Sequence, residues 1–81
     1  MRINVLYFAQ CREARGKSEE TMDAPAGSSA GDLLRRILSE VPSLAGLKAQ
    51  IAVAVNQKIS GLDAKLKDGD EVALLLPPSG G

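Results

Sequence analysis

The chain has 81 residues, 44% of them apolar, which excludes a disordered segment and describes one small domain with an efficient core. Ten basic and ten acidic residues cancel, within each half as well as overall, so no basic stripe offers itself to nucleic acid. Histidine is absent and Cys11 is the single cysteine, which excludes a disulfide framework, a thiolate metal cluster and the commonest general base.

No apolar run approaches bilayer length. The opening MRINVLYFAQ lacks a long apolar h-region and a small-residue cleavage site, so it reads as a strand and not as a signal peptide. No membrane partner is expected, and the expected compartment is the cytoplasm. Arg2 to Phe8 begins by alternation, with Ile3, Val5 and Tyr7 on one face and Arg2 and Asn4 on the other. From Leu6 onward the second face turns apolar too, through Leu6 and Phe8, and such side chains stay exposed unless something covers them.

Gln10 to Arg15, closed by Gly16, predicts one or two helical turns with a glycine stop. Cys11 in it reads as a small, semi-buried apolar side chain, because free cysteine is among the most buried residue types; a reactive thiol would need a basic, partly exposed setting. Lys17 to Ala24 is a weak strand that pairs most economically back along the first. After the loop at Pro25 to Ser28, Ser29 is an N-cap with Asp32 three residues on. Leu33, Leu34, Ile37, Leu38 and Val41 follow at helical spacing until Pro42, with Arg35, Arg36, Ser39 and Glu40 mostly on the solvated side.

Ser43 to Ala49 reads as connection. Gln50 to Val55 is a buried strand, Asn56-Gln57 a turn, and Lys58-Ile59 a short returning strand. Gly61 to Leu66 is loop. Lys67 to Asp70 is a turn with Gly69 at the φ > 0 position; its aspartates lack the spacing and closing Glu of a calcium loop, and no metal site is expected. One main helix across a mixed sheet gives a two-layer α+β domain.

The last stretch, EVALLLPPSGG, runs an apolar strand into Pro77-Pro78, one serine and a terminal Gly80-Gly81. The prolines end the ladder and stiffen the exit, and the glycines leave the backbone without Cβ atoms. Leu76 to Gly81, extended, reaches on the order of 20 Å. The pattern suggests a slender terminus inserted into something narrow; Gly/Ser chain ends are also commonly functionless tails. The expected division is a domain at 1–76 and a flexible tail at 77–81.

Four stretches carry a resemblance to a known family: Val5-Leu6-Tyr7-Phe8-Ala9-Gln10 with Arg12-Glu13; Ala54-Val55-Asn56-Gln57; Leu66-Lys67-Asp68-Gly69-Asp70-Glu71-Val72-Ala73; and the Pro-Pro…Gly-Gly end. Together, in order and at matching length, they resemble the small, sulfur-carrying subunit of molybdopterin synthase. The resemblance implies the ubiquitin-like β-grasp fold. The sequence departs from the family in one place: only Ser79 separates Pro-Pro from Gly-Gly, and Leu76 stands where the first proline is expected.

A terminal carboxylate is ionised at neutral pH and a poor acyl donor, so it must be activated before it acquires sulfur. The resemblance implies that an ATP-using, adenylating (E1-like) enzyme forms a Gly81 acyl-adenylate, and that a sulfur donor converts it to a thiocarboxylate. The sulfur then passes to a pterin precursor in the large catalytic subunit, within a heterotetramer. The chain is thus expected to bind no cofactor and to catalyse nothing alone. Gly81 is the donor and Gly80 its slim neighbour; Pro77, Pro78 and Ser79 enter the partner. Strand parity adds Leu6, Phe8 and Leu75 as one exposed patch, with Ile59 as a neighbour; part of this set filling a second small core is the other reading. A sulfur carrier for thiamine synthesis and a ubiquitin-like modifier joined to lysines through Gly81 are the alternatives, and an interaction domain indifferent to Gly81 is a third.

Overall fold

The last strand of the chain is the middle of the sheet. In the computed structural model, which describes residues 1–76, β5 (Glu71–Leu75) lies between β1 (Arg2–Tyr7), to which it is parallel, and β3 (Ala52–Val55), to which it is antiparallel. The edges are β2 (Glu19–Asp23), antiparallel to β1, and β4 (Lys58–Ser60), antiparallel to β3. The order is therefore β2-β1-β5-β3-β4, the mixed sheet of a β-grasp domain, and the first and last strands of the described chain are neighbours. The expected tail at 77–81 lies outside the described residues.

The alternating residues of β1 and β5 produce two unlike faces. Ile3, Val5, Tyr7, Val53, Val72 and Leu74 point inward and are all but sealed from solvent. They form one cluster with Leu33, Leu34, Ile37 and Leu38 of α2 (Ala30–Glu40). That helix starts where the sequence predicts. Ser29 is extended, its hydroxyl accepts from the Asp32 amide (3.1 Å), and the Asp32 carboxylate accepts from the Ser29 amide (2.9 Å). An aspartate thus closes a full capping box.

The 43–49 segment differs from the expected plain connection. Pro42 ends α2 and also opens α3 (Pro42–Ala45), since proline suits a first helical turn. Leu44 is buried in the core, and a 3-10 turn (Lys48–Gln50) follows. The helix after β1 also begins a residue earlier than read: α1 is Ala9–Arg15, with Gly16 in the left-handed region (φ 84°) as its stop.

Two turns are tied together beneath the sheet ends. Asn56 (φ 51°) and Gln57 (φ 72°) both lie in the left-handed region, as a two-residue hairpin between right-twisted strands requires. The Asn56 side chain donates to the Asp70 carboxylate and accepts from the Glu71 amide, each at 3.0 Å. Asp70 also accepts from the Lys67 amide (2.8 Å), and Asp68 from the Arg2 amide (2.7 Å). These aspartates hold backbone, and Gly69 between them supplies the left-handed turn position (φ 88°).

Candidate functional site

The outward face of the sheet carries the predicted patch. Register places Leu6 opposite Ala73, Ala73 opposite Ala54, and Ala54 opposite Ile59, so one apolar row crosses four strands. Leu75, opposite Ala52, begins the next row. Phe8 follows β1 and its amide donates to the Leu74 carbonyl (3.3 Å). Phe8 is 46% exposed and Ile59 69%, with Leu6 and Leu75 half-buried.

Leu6, Phe8 and Leu75 are thus brought together. Ile59 is not beside them: it stands at the far end of the row, about three strand spacings or ~14 Å from Leu6. Between them lie Ala54 and Ala73, 6% and 8% exposed and outside the core cluster. Alternation alone signalled that Ala54 and Ala73 face outward. Their place as the floor between two larger apolar walls needed the strand order. Only small side chains thus stand between Leu6 and Ile59 along this row.

A backbone kink aims Phe8. Ala9, immediately after it, has φ 49°, a conformation that costs a non-glycine residue roughly 1 kcal/mol or more. The kink turns the chain from β1 into α1 and leaves Phe8 standing on the outer face. No feature of the sequence marks it. Glu19, opposite Leu6 on the edge strand, ends the apolar row, and from there toward the start of β1 the surface becomes polar, with Asn4, Thr21 and Glu71 around a shallow hollow that Leu6 and Glu19 also line.

Beyond Leu75 the chain reaches Leu76, half-buried against the core. Pro77, Pro78, Ser79, Gly80 and Gly81 lie outside the described residues. The exit is therefore at the same end of the sheet as Phe8 and Leu75.

The charged groups elsewhere serve the framework. Tyr7 donates to the Glu20 carboxylate, Arg15 Nε donates to it at 2.7 Å, and another Arg15 nitrogen donates to Glu40 at 2.8 Å. Burial opposes ionisation of Glu20, but the hydrogen bonds from Arg15 and Tyr7 and the nearby cations outweigh it and hold its pKa at about 2. Burial, aided by the Glu20 hydrogen bond, raises that of Tyr7. Cys11 is fully buried and burial pushes its thiol up, so it is a packing residue and not a nucleophile. Among the described residues no grouping of Cys, Asp and Glu is arranged to hold a metal ion.

A model described as the ThiS family matches residues 5–81. The chain belongs to the ThiS family. The match begins within β1, at Val5, and runs through the terminal Gly80-Gly81. A curated relative of this ThiS-family chain is the molybdopterin synthase sulfur carrier subunit of Chlamydomonas reinhardtii, 42% identical over 83 residues and covering 100% of both chains. Among solved structures, SAMP1 from Haloferax volcanii is 26% identical with a TM-score of 0.87, covering 100% of each chain. Another likeness is to a protein in the complex of subunits 1 and 2 of molybdopterin-converting factor from Helicobacter pylori. It is 29% identical with a TM-score of 0.70, again covering 100% of each chain. Those relatives share the ubiquitin-like β-grasp fold of this ThiS-family domain.

Proposed function

We propose that this chain is the sulfur-carrying subunit of a molybdopterin synthase, a component that delivers sulfur and leaves catalysis to its partners. The observation that carries the reading is the 42% identity, across the whole of both chains, to a subunit of that name. The geometry supports it: Leu6, Phe8 and Leu75 cluster on the outward face at the end of β5 from which the terminal segment departs. A large catalytic subunit docking on this face would sit beside the exit of the chain, ready to receive the terminus.

In this reading a partner joins the Gly81 carboxylate to the adenylyl group of ATP, releasing pyrophosphate. A sulfur nucleophile then attacks the acyl carbon and expels AMP, leaving a thiocarboxylate. Its sulfur attacks a carbon of the pterin precursor in the large subunit and displaces an oxygen substituent, whose bond to that carbon breaks and which leaves with the electron pair, giving a thioester. Water hydrolyses the resulting thioester, so the sulfur stays on the pterin and Gly81 regains its oxygen. Each carrier gives one atom, and two carriers supply a dithiolene. Gly80 and Gly81 present no Cβ to a narrow channel, and Pro77 and Pro78 reduce the entropy lost on insertion. The chain binds no cofactor itself, and ATP belongs to the activating enzyme. We assign the process to the cytoplasm; none of the described helices is long and apolar enough to cross a membrane.

Deleting Gly81, or adding one residue after it, is expected to abolish sulfur transfer and leave the circular dichroism spectrum and unfolding midpoint unchanged. Full transfer by either variant would overturn the reading. The likeness to SAMP1, a small archaeal modifier protein, favours the second reading of a ubiquitin-like modifier, which would be joined to its targets through Gly81. Mass spectrometry separates them: an oxygen-to-sulfur mass increase on Gly81 marks a carrier, and branched Gly-Gly remnants on other proteins mark a modifier.

A further inference from the structure

Leu76 is the first residue beyond β5, yet it keeps the parity of that strand. Val72 and Leu74 point inward and are completely buried, and Leu76 packs against the same core. Its outward neighbour Leu75 is still paired with Ala52 in the sheet. Residue 77 is proline, which has no N–H to extend the ladder and steers the residue before it toward extended backbone. At Leu76, therefore, a side chain held by the core meets a backbone restricted by the following ring.

We propose that Leu76 is a positioning residue: an anchor that fixes the direction in which residues 77–81 leave the domain, and thereby where Gly81 is presented. The proposal rests on the sulfur-carrier reading for its functional consequence, but the anchor itself stands on packing. Gly81 stands five positions beyond Leu76, a span of roughly 17 Å if the chain is extended. A swing of ~10° at its base moves the tip by ~3 Å, from the same extended length. Acyl and sulfur transfer tolerate far less, since a misplacement of ~1 Å costs up to ~100-fold in rate. The docking face does not include Leu76, whose side chain turns the other way. Anchor and docking face are thus separable by substitution.

The test uses the full-length chain with Leu76→Gly, Leu76→Ala and Leu76→Met. In the free protein, the ¹⁵N heteronuclear NOE at Leu75 and at position 76 is expected to fall in the glycine variant, less in the alanine variant, and to stay at the wild-type value in the methionine variant. In single-turnover transfer from the thiocarboxylated chain to the large subunit, Leu76→Gly lowers the rate at saturating partner by ~10-fold or more. The half-saturating concentration stays within about twofold, because binding at the separate face is unaffected, and Leu76→Met restores the rate. Wild-type NOE values in Leu76→Gly, a wild-type rate, or a loss confined to affinity would each overturn the anchor. If Leu76→Gly does not fold, Leu76→Ala decides by the same readings. If the wild-type chain transfers no sulfur, the carrier reading falls, and the NOE series judges the anchor alone.

Discussion

Glu20 shows how one charged residue becomes part of the framework. In the sequence it is one of two adjacent glutamates in a polar segment. In the sheet it pairs with Val5, so it faces the packed side at an edge, where Tyr7 and Arg15 hold it. Its pKa falls from 4.5 to about 2 on folding. A carboxyl with a lowered native pKa stabilises the fold above the unfolded value and loses that contribution as the pH drops toward the native one. The stabilisation is therefore complete above about pH 5 and disappears between there and about pH 2, on the order of 1 to 2 kcal/mol after solvent screening. Glu20→Gln is expected to lower stability at neutral pH by that amount and to flatten this part of the profile. Urea unfolding across the acid range measures it; an unchanged slope would remove Glu20 as its source.

At the scale of elements, the start of α2 is set by more than its cap. The Gly31 amide donates to the Leu62 carbonyl at 2.7 Å, and the Ala30 amide to that of Ala64 at 2.8 Å. A Cβ on Gly31 would stand 2.9 Å from that same Leu62 oxygen and 3.1 Å from Leu62 Cβ. In an open helix glycine to alanine gains roughly 1 kcal/mol. Here the new methyl meets backbone that two hydrogen bonds hold in place, and overpacking of this kind costs about 1 to 3 kcal/mol. Gly31→Ala is thus expected to lower the thermal midpoint by several degrees for a chain of this size. A midpoint equal to wild type would mean that the loop at 61–66 gives way freely.

For the whole molecule, the division of labour between the two sheet faces is decisive. One face meets the helix and makes the core; the other keeps Phe8 and Ile59 in solvent around an alanine floor. A carboxylate on that outer face disturbs no packed interior but would be desolvated under a partner, a cost of several kcal/mol. Phe8→Asp or Leu75→Asp is therefore expected to weaken binding to the large synthase subunit by ~10-fold or more, as loss of an interface anchor does. The unfolding midpoint should hold. Calorimetric titration checks the first and thermal melting the second; undiminished binding would remove this face as the docking site.

The sequence by itself determined the elements whose signals are local: the alternation in Arg2–Tyr7, the Ser29/Asp32 cap, the helical spacing from Leu33 to Leu38 and the glycine turns at Gly16 and Gly69. Each depends on residues within a few positions of one another, and the Gly-Gly terminus is legible for the same reason. Local pattern did not show that Pro42 starts a helix as well as ending one, because that depends on Leu44 finding the core. Nor did it show Glu20 turned inward or Gly31 against Leu62, both of which are contacts between separate parts of the chain, or the Ala9 kink, a backbone conformation that no residue type there marks. The distance from Leu6 to Ile59 is the plainest case. Parity assigned Leu6 to the outer face and Ile59 was read as its neighbour, but only the order of the strands decided that two alanines lie between them.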